Sequence, residues 1–153
     1  MMRRWFRLLR HDARGVATIE LAIIAPVLAT MVIGVVDLSN AFGRKLALEQ
    51  ATQRAVEKVM QTTLEETAED VIKGEAAAQA GIATTAVTVT YQLECNEVQQ
   101  ANYDAECASN ERESRYLLVT ANDKYTPMFP VKFLGINADG TYHLTSTSGL
   151  RTQ

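Results

Sequence analysis

Between Gly15 and Val36 the chain reads GVATIELAIIAPVLATMVIGVV, and the 16 residues from Leu21 to Val36 carry no charge. A stretch of this kind has to leave water, which restricts the whole fold to a few arrangements. Counted from Val16 the segment has 21 residues. As a helix it spans roughly 31 Å at about 1.5 Å per residue, close to the hydrocarbon thickness of a bilayer. The expectation is a membrane helix or a signal-like segment; the alternative is the buried core helix of a soluble domain. Arg3, Arg4, Arg7, Arg10 and Arg14 all lie on one side of it, an asymmetry that leaves the N-terminus in the cytoplasm. Pro26 removes one helical hydrogen bond, to the carbonyl of Ala22, and so favours a bend that membrane helices tolerate. Gly34 offers a small surface suited to close helix packing.

Charge is distributed unevenly along the chain. The first 14 residues hold five arginines and one aspartate, whereas from Val16 onward there are ten Lys and Arg and 17 Asp and Glu, a formal charge of −7. An acidic body lacks the basic footprint that nucleic acid binding requires, so no nucleic acid partner is expected. The arginines are accounted for by membrane topology. Trp5, Phe6, Leu8 and Leu9 interleave with them, a pattern that suits an anionic lipid surface or, alternatively, a disordered tail. A length of 153 residues suits one membrane segment plus one small domain. After Val36 the sequence DLSNAFGRKL is polar and helix-compatible. Cleavage at that end, as in an ordinary secretory signal, is not expected.

From Asp37 to about Lys73 the pattern continues as a helix. Leu38, Phe42 and Leu46 recur at intervals of four, and Ala51, Ala55, Val59 and Met60 extend the stripe. Glu49, Glu57, Glu65, Glu66, Glu69 and Asp70 take the wet side, and a break is expected near Thr62–Thr63. The alternative is two shorter helices folded onto one domain. Gly74 opens a transition, and Ala76 to Ala83 is small and weakly patterned. The period then changes. Ala86 to Glu94 alternates as a strand, Tyr116 to Asn122 reads as the second strand, and Thr141 to Ser148 makes a last strand with Tyr142, Leu144 and Ser146 on one face. Pro127 and Pro130 confine any strand at Tyr125 to Pro130 to an edge or a bend, and Val131 to Leu134 is a short apolar piece. Asp139-Gly140 marks a turn.

Cys95 and Cys107 are the only cysteines, and neither lies in a CxxC motif. A domain following a membrane segment stands outside the cytoplasm, where disulfides persist, so a structural bridge closing the loop from Glu94 to Arg112 is expected. Two free thiols are the alternative. His11 and His143 form no evident pair, so neither a metal set nor a cofactor is expected. Ser39, Ser109, Ser114, Ser146 and Ser148 lack a nucleophile motif, and no glycine-rich phosphate loop follows a strand. The chain therefore does not read as an enzyme. Tyr91, Tyr103, Tyr116, Tyr125 and Tyr142 suit a contact surface or a small core.

The most informative spacing is Arg14-Gly15-Val16-Ala17-Thr18-Ile19-Glu20 at the entrance to the apolar run. A carboxylate at the mouth of a membrane helix is costly unless paired. Cutting after Gly15 would create an α-amine on Val16, and Glu20 would stand one helical turn from it, able to neutralise it in its own chain or in a neighbour.

These residues carry a resemblance. RGVATIELAIIAP resembles the type IV prepilin signal, and more closely the TadE-like family of tight-adherence pilus assembly proteins. The resemblance implies a basic leader, a prepilin peptidase cutting between Gly15 and Val16, Glu20 as the signature acid and Ala25-Pro26 as the helix pair. ALEQATQRAVEKV is similar to the family's continuation, and the likeness is firm over residues 10–60. Beyond that, only the order of helix then strands and a disulfide match. Leu21 stands where members often carry Phe. The length exceeds that of abundant pilins in such systems, which favours a minor pilin or pseudopilin over the main fibre subunit.

The resulting expectation is an α+β chain. Residues 1–15 form the leader, 16–37 a transmembrane helix, 38–73 an amphipathic helix continuing it as a stalk, and 74–153 an extracytoplasmic region. In that region an antiparallel sheet of three or four strands packs on the helix. The function implied by the resemblance is support or initiation of pilus assembly, with Glu20 and Pro26 in helix packing. The implied partners are the prepilin peptidase, other pilins or pseudopilins (including a heteromer) and inner-membrane lipid. The N-terminus is expected in the cytoplasm and the body in the periplasm of a bacterium, with or without incorporation into the pilus. The rival reading is an uncleaved single-pass adaptor or binding module.

Overall fold

The computed structural model describes residues 14–61, 68–128 and 137–152. The chain divides into two units, one ending at Ser39 and the other starting at Asn40. The leader up to residue 13, the expected break at Thr62–Thr63, Pro130 and the apolar piece Val131–Leu134 lie outside the described residues.

Helix α1 runs without interruption from Arg14 to Gln61, passing through Pro26. A proline in mid-helix leaves the carbonyl four residues earlier without its donor. Four residues beyond Pro26, the Thr30 hydroxyl donates to the Pro26 carbonyl at 2.8 Å, keeping a polar side chain on the helix backbone. From Asn40 onward α1 has one buried face, made of Ala41, Leu48, Ala51, Thr52, Ala55, Val56 and Val59. Small residues dominate that face and allow the helix to lie close on a sheet.

This corrects the stripe read from the sequence. Ala51, Ala55 and Val59 are buried, but Leu38, Phe42, Leu46 and Met60 are exposed. The reason is geometric. A step of four residues overshoots a full turn by about 40°, and Leu46 stands about 160° around the helix from Leu48. The interval-of-four run therefore lies off the core face, on which Ala41 and Leu48 stand seven residues apart.

Helix α2, Glu69–Ala80, starts with Glu69 and Asp70 in its first turn, where carboxylates suit the helix dipole. It buries Ile72, Ala76, Ala77 and Ala80. It ends where Gly81 adopts φ 65°, a left-handed conformation cheap only for glycine, with the Gly81 and Ile82 amides both bonding the Ala77 carbonyl. The sequence reading ended this helix near Lys73. An alanine face is faint in hydropathy, although Ile72, Ala76 and Ala80 recur at the helical interval.

A short 3₁₀ turn at Thr84–Ala86 leads into the sheet. Its strands are β1 (Val87–Cys95), β2 (Val98–Gln99), β3 (Glu113–Tyr125) and β4 (Tyr142–Arg151), antiparallel in the order β2-β1-β3-β4. Register sets rows across one face: Val87, Ala121 and Ser146; Val89, Val119 and Ser148; Tyr91, Leu117 and Leu150. These rows and the apolar faces of α1 and α2 form the core. The fold is α+β, as the change of period along the sequence implied. Gly149 lies opposite Leu118, where an added Cβ would meet the leucine Cδ2 at 2.6 Å, so the position excludes a side chain without rearrangement.

The α1 contact with β4 is polar at one level. Thr52 is fully buried, and its hydroxyl lies 3.3 Å from that of Ser146, 2.9 Å from that of Ser148 and 3.0 Å from the Glu49 carbonyl. Arg44 Nε donates to Asp123 at 2.9 Å, and Lys45 Nζ donates to the Thr145 carbonyl. Lys58 and Glu75 join α1 to α2 at 2.8 Å.

Candidate functional site: the exposed start of α1

The segment from Arg14 to Ser39 belongs to the first of the two units. Gly15 stands in the first turn of α1, exposed and with open space where a Cβ would be. The first four amides of a helix have no intrahelical acceptor, and glycine in a helix costs about 1 kcal/mol relative to alanine. The Gly15–Val16 bond thus lies in a first turn that is cheap to unwind. Glu20 is exposed, and its carboxylate has no partner among the described residues. It follows Val16 by four residues, about 6 Å along the axis and nearly on the same face.

Beyond Glu20 the helix is apolar on every side. Ile19, Leu21, Ile23, Ile24, Val27, Leu28, Met31, Val32, Val35 and Val36 are all exposed, and no residue of the apolar stretch is buried. The helix is long and apolar enough to cross a membrane. Each Leu, Ile or Val favours insertion by roughly 0.3–0.6 kcal/mol at the helix centre, so their sum exceeds the cost of one acid held near the entrance. The core helix of a soluble domain would have most of these side chains covered, whereas here none of the apolar window is.

The second unit carries the other residues singled out in the sequence. Cys95 and Cys107 form a disulfide with Cα atoms 5.6 Å apart. It closes a loop of about 13 residues, worth about 3 kcal/mol in chain entropy. The Glu111 carboxylate lies near the two sulfurs. Sulfurs bonded to each other offer no thiolate for a metal, and Glu111 Oε2 accepts the Ala108 amide at 3.1 Å instead.

Arg115 is the organiser of this loop that the sequence reading missed. It donates to the carbonyls of Tyr103 and Ala105 at 2.6 and 3.0 Å and to Glu113 at 2.6 Å, and its guanidinium lies 5.0 Å from the Tyr103 ring centre. Its hydrogen bond holds the Glu113 carboxyl below the usual range. Nothing in the local sequence marks this arginine as the loop's organiser, because the acceptors it holds in the loop are backbone carbonyls ten and twelve residues earlier.

His143 and Asp139 approach to 2.8 Å. Asp139 also accepts the Thr141 amide and hydroxyl at 3.1 and 2.8 Å and Lys124 at 3.2 Å. These donors, His143 first, hold its carboxyl well below the usual carboxylate range. The Thr141 hydroxyl is donated to Asp139 and the Thr145 hydroxyl to Asn122, so the cluster fixes the turn before β4 and presents no activated nucleophile.

The family model described as TadE-like protein matches residues 15–57. The matched segment starts at the glycine of the proposed cleavage motif and ends within the buried face of α1. No curated protein and no solved structure matches the chain.

Proposed function

We propose that this chain is a minor pilin or pseudopilin that supports assembly of a tight-adherence pilus after a prepilin peptidase cuts between Gly15 and Val16. The observation that carries the reading is the exposed apolar helix with an acid, unpartnered among the described residues, one turn from the proposed new terminus, within the segment matched by the TadE-like family model. Cleavage removes the arginine leader and leaves an α-amine on Val16. That amine and the Glu20 carboxylate are opposite charges in an apolar setting, where their attraction is far stronger than in water. A pair closed between neighbouring helices sets their axial register. Pro26 shapes the helix surface that packs, and the body projects into the periplasm, where its disulfide is stable.

The test is Glu20→Ala in a strain that makes pili. The expected outcome is a protein that inserts and is processed normally while surface pili fall markedly. Unchanged pilus output would remove the assembly role of Glu20. A precursor-sized protein in the presence of active peptidase would favour the uncleaved adaptor.

A further inference from the structure

The sheet has two edges, and they are treated differently. On β4, hydrogen bonding of the Thr152 amide to the Arg115 carbonyl at 2.8 Å fixes the alternation, so Thr145 directs its main chain outward. That carbonyl is occupied by Lys45 of α1. A lysine on an edge is a common guard against further strand pairing.

Among the described residues the β1 edge has no such guard. β2 covers only Glu94 and Cys95, and the Gln100 amide takes the Leu93 carbonyl at 2.7 Å. On the other side the Asn96 amide bonds the Arg112 carbonyl at 3.0 Å. Even-numbered residues of β1 therefore face β3, and Val87, Val89 and Tyr91 direct their main chain away from it. The Val87 amide is taken by Thr84. The Val87 carbonyl and both main-chain groups of Val89 and Tyr91 have no partner among the described residues. The stretch VTVTY is β-prone and has no charge and no proline. An open groove lined by Asp70, Lys73, Thr84, Thr85, Val87 and Thr88 runs beside its first residues.

We propose that the open edge of β1, Val87–Tyr91, takes an added strand from another protein: an extended segment, uncharged and β-branched over about five residues, with Lys or Arg at its ends. Five unpaired main-chain groups supply the pairing, as in other strand-addition complexes. Charge defines the flanks. Asp70 stands in the groove at the Val87 end, and Glu94 lies just past Tyr91. The one cation in the groove, Lys73, is already paired with Glu69 at 2.5 Å. Thr88 and Thr90 are exposed on the outer face, while Val87 and Val89 are buried on the helix side, so alternate apolar side chains of the incoming strand fall on the helix side. This surface is independent of the cleavage motif and stands whether or not the leader is removed.

The test follows amide exchange at Val89 and Tyr91 by NMR, in the full chain in detergent micelles. The probe is a nine-residue peptide of alternating valine and threonine with lysine at both ends. The expected result is exchange slowed at least tenfold at both amides, and much less by the same peptide ended in glutamate or carrying a central proline. No slowing by the lysine-ended peptide, or equal slowing by the glutamate-ended one, would overturn the proposal. So would slowing without peptide that rises with protein concentration, since a second copy would then fill the edge. Val89→Pro removes one outward N–H and leaves the β1–β3 ladder its bonds, and it should abolish the effect at Tyr91. If that variant fails to fold, the peptide comparison decides alone.

Discussion

At the scale of single residues, the polar groups of the body are tied to backbone and to one another in ways that can be measured. Thr52 sits on the buried face of α1 and binds two serines of β4 and a carbonyl of its own helix. Thr52→Val preserves shape and removes those bonds, leaving Ser146 and Ser148 without their helix partner. Loss of about 1–3 kcal/mol is expected, read as a lower urea midpoint in mild detergent; an unchanged midpoint would mean the hydroxyls are satisfied otherwise. Asp139 is held ionised by His143, Thr141 and Lys124. A carboxyl lowered in the folded state stabilises it fully above the unfolded value near pH 4, and the contribution is lost as pH falls below that. Asp139→Asn should therefore destabilise the body at pH 6 and show a shallower loss between pH 4 and pH 2. Parallel curves for the two proteins would contradict this. Of these residues the sequence marked the Asp139-Gly140 turn and the cysteine pair, because turn chemistry and compartment logic are local. Thr52 and Arg115 were not legible, since their partners come from distant strands or from backbone.

At the scale of elements, period decides what can be read. The first strand alternated cleanly in the sequence, and Tyr142, Leu144 and Ser146 do share one face of β4. β3 extends further in both directions than its apolar centre suggested, because Glu113, Arg115, Asp123 and Lys124 are polar residues held by pairing and side-chain contacts. In α1 the existence of a helix was plain and its buried face was not, since apolar residues occur on two sides. The two sides separate by mutation. Leu48→Ala should cost about 2–5 kcal/mol because it opens the core. Phe42→Ala, at an exposed site, should change stability by no more than about 0.5 kcal/mol. Comparable losses at both positions, measured by urea unfolding, would place Phe42 in a core after all. The alanine face of α2 was hidden for the opposite reason: it is buried by being small.

At the scale of the whole molecule, the chain combines an apolar helical segment with no covered side of its own and an acidic α+β body closed by a disulfide. The family match falls on the first and on the start of the second. The apolar helix, long enough to cross a membrane, was legible because a continuous uncharged run is a one-dimensional feature that sequence records directly. The body follows packing rules that many sequences satisfy, and its open β1 edge appears only once pairing is known. The proposed function turns on one covalent event, the release of an amine at Val16 beside Glu20. Intact-mass analysis of the protein extracted from membranes of cells with an active prepilin peptidase reads that event directly. The expected mature chain begins at Val16; recovery of a chain still beginning at Met1 would contradict the account.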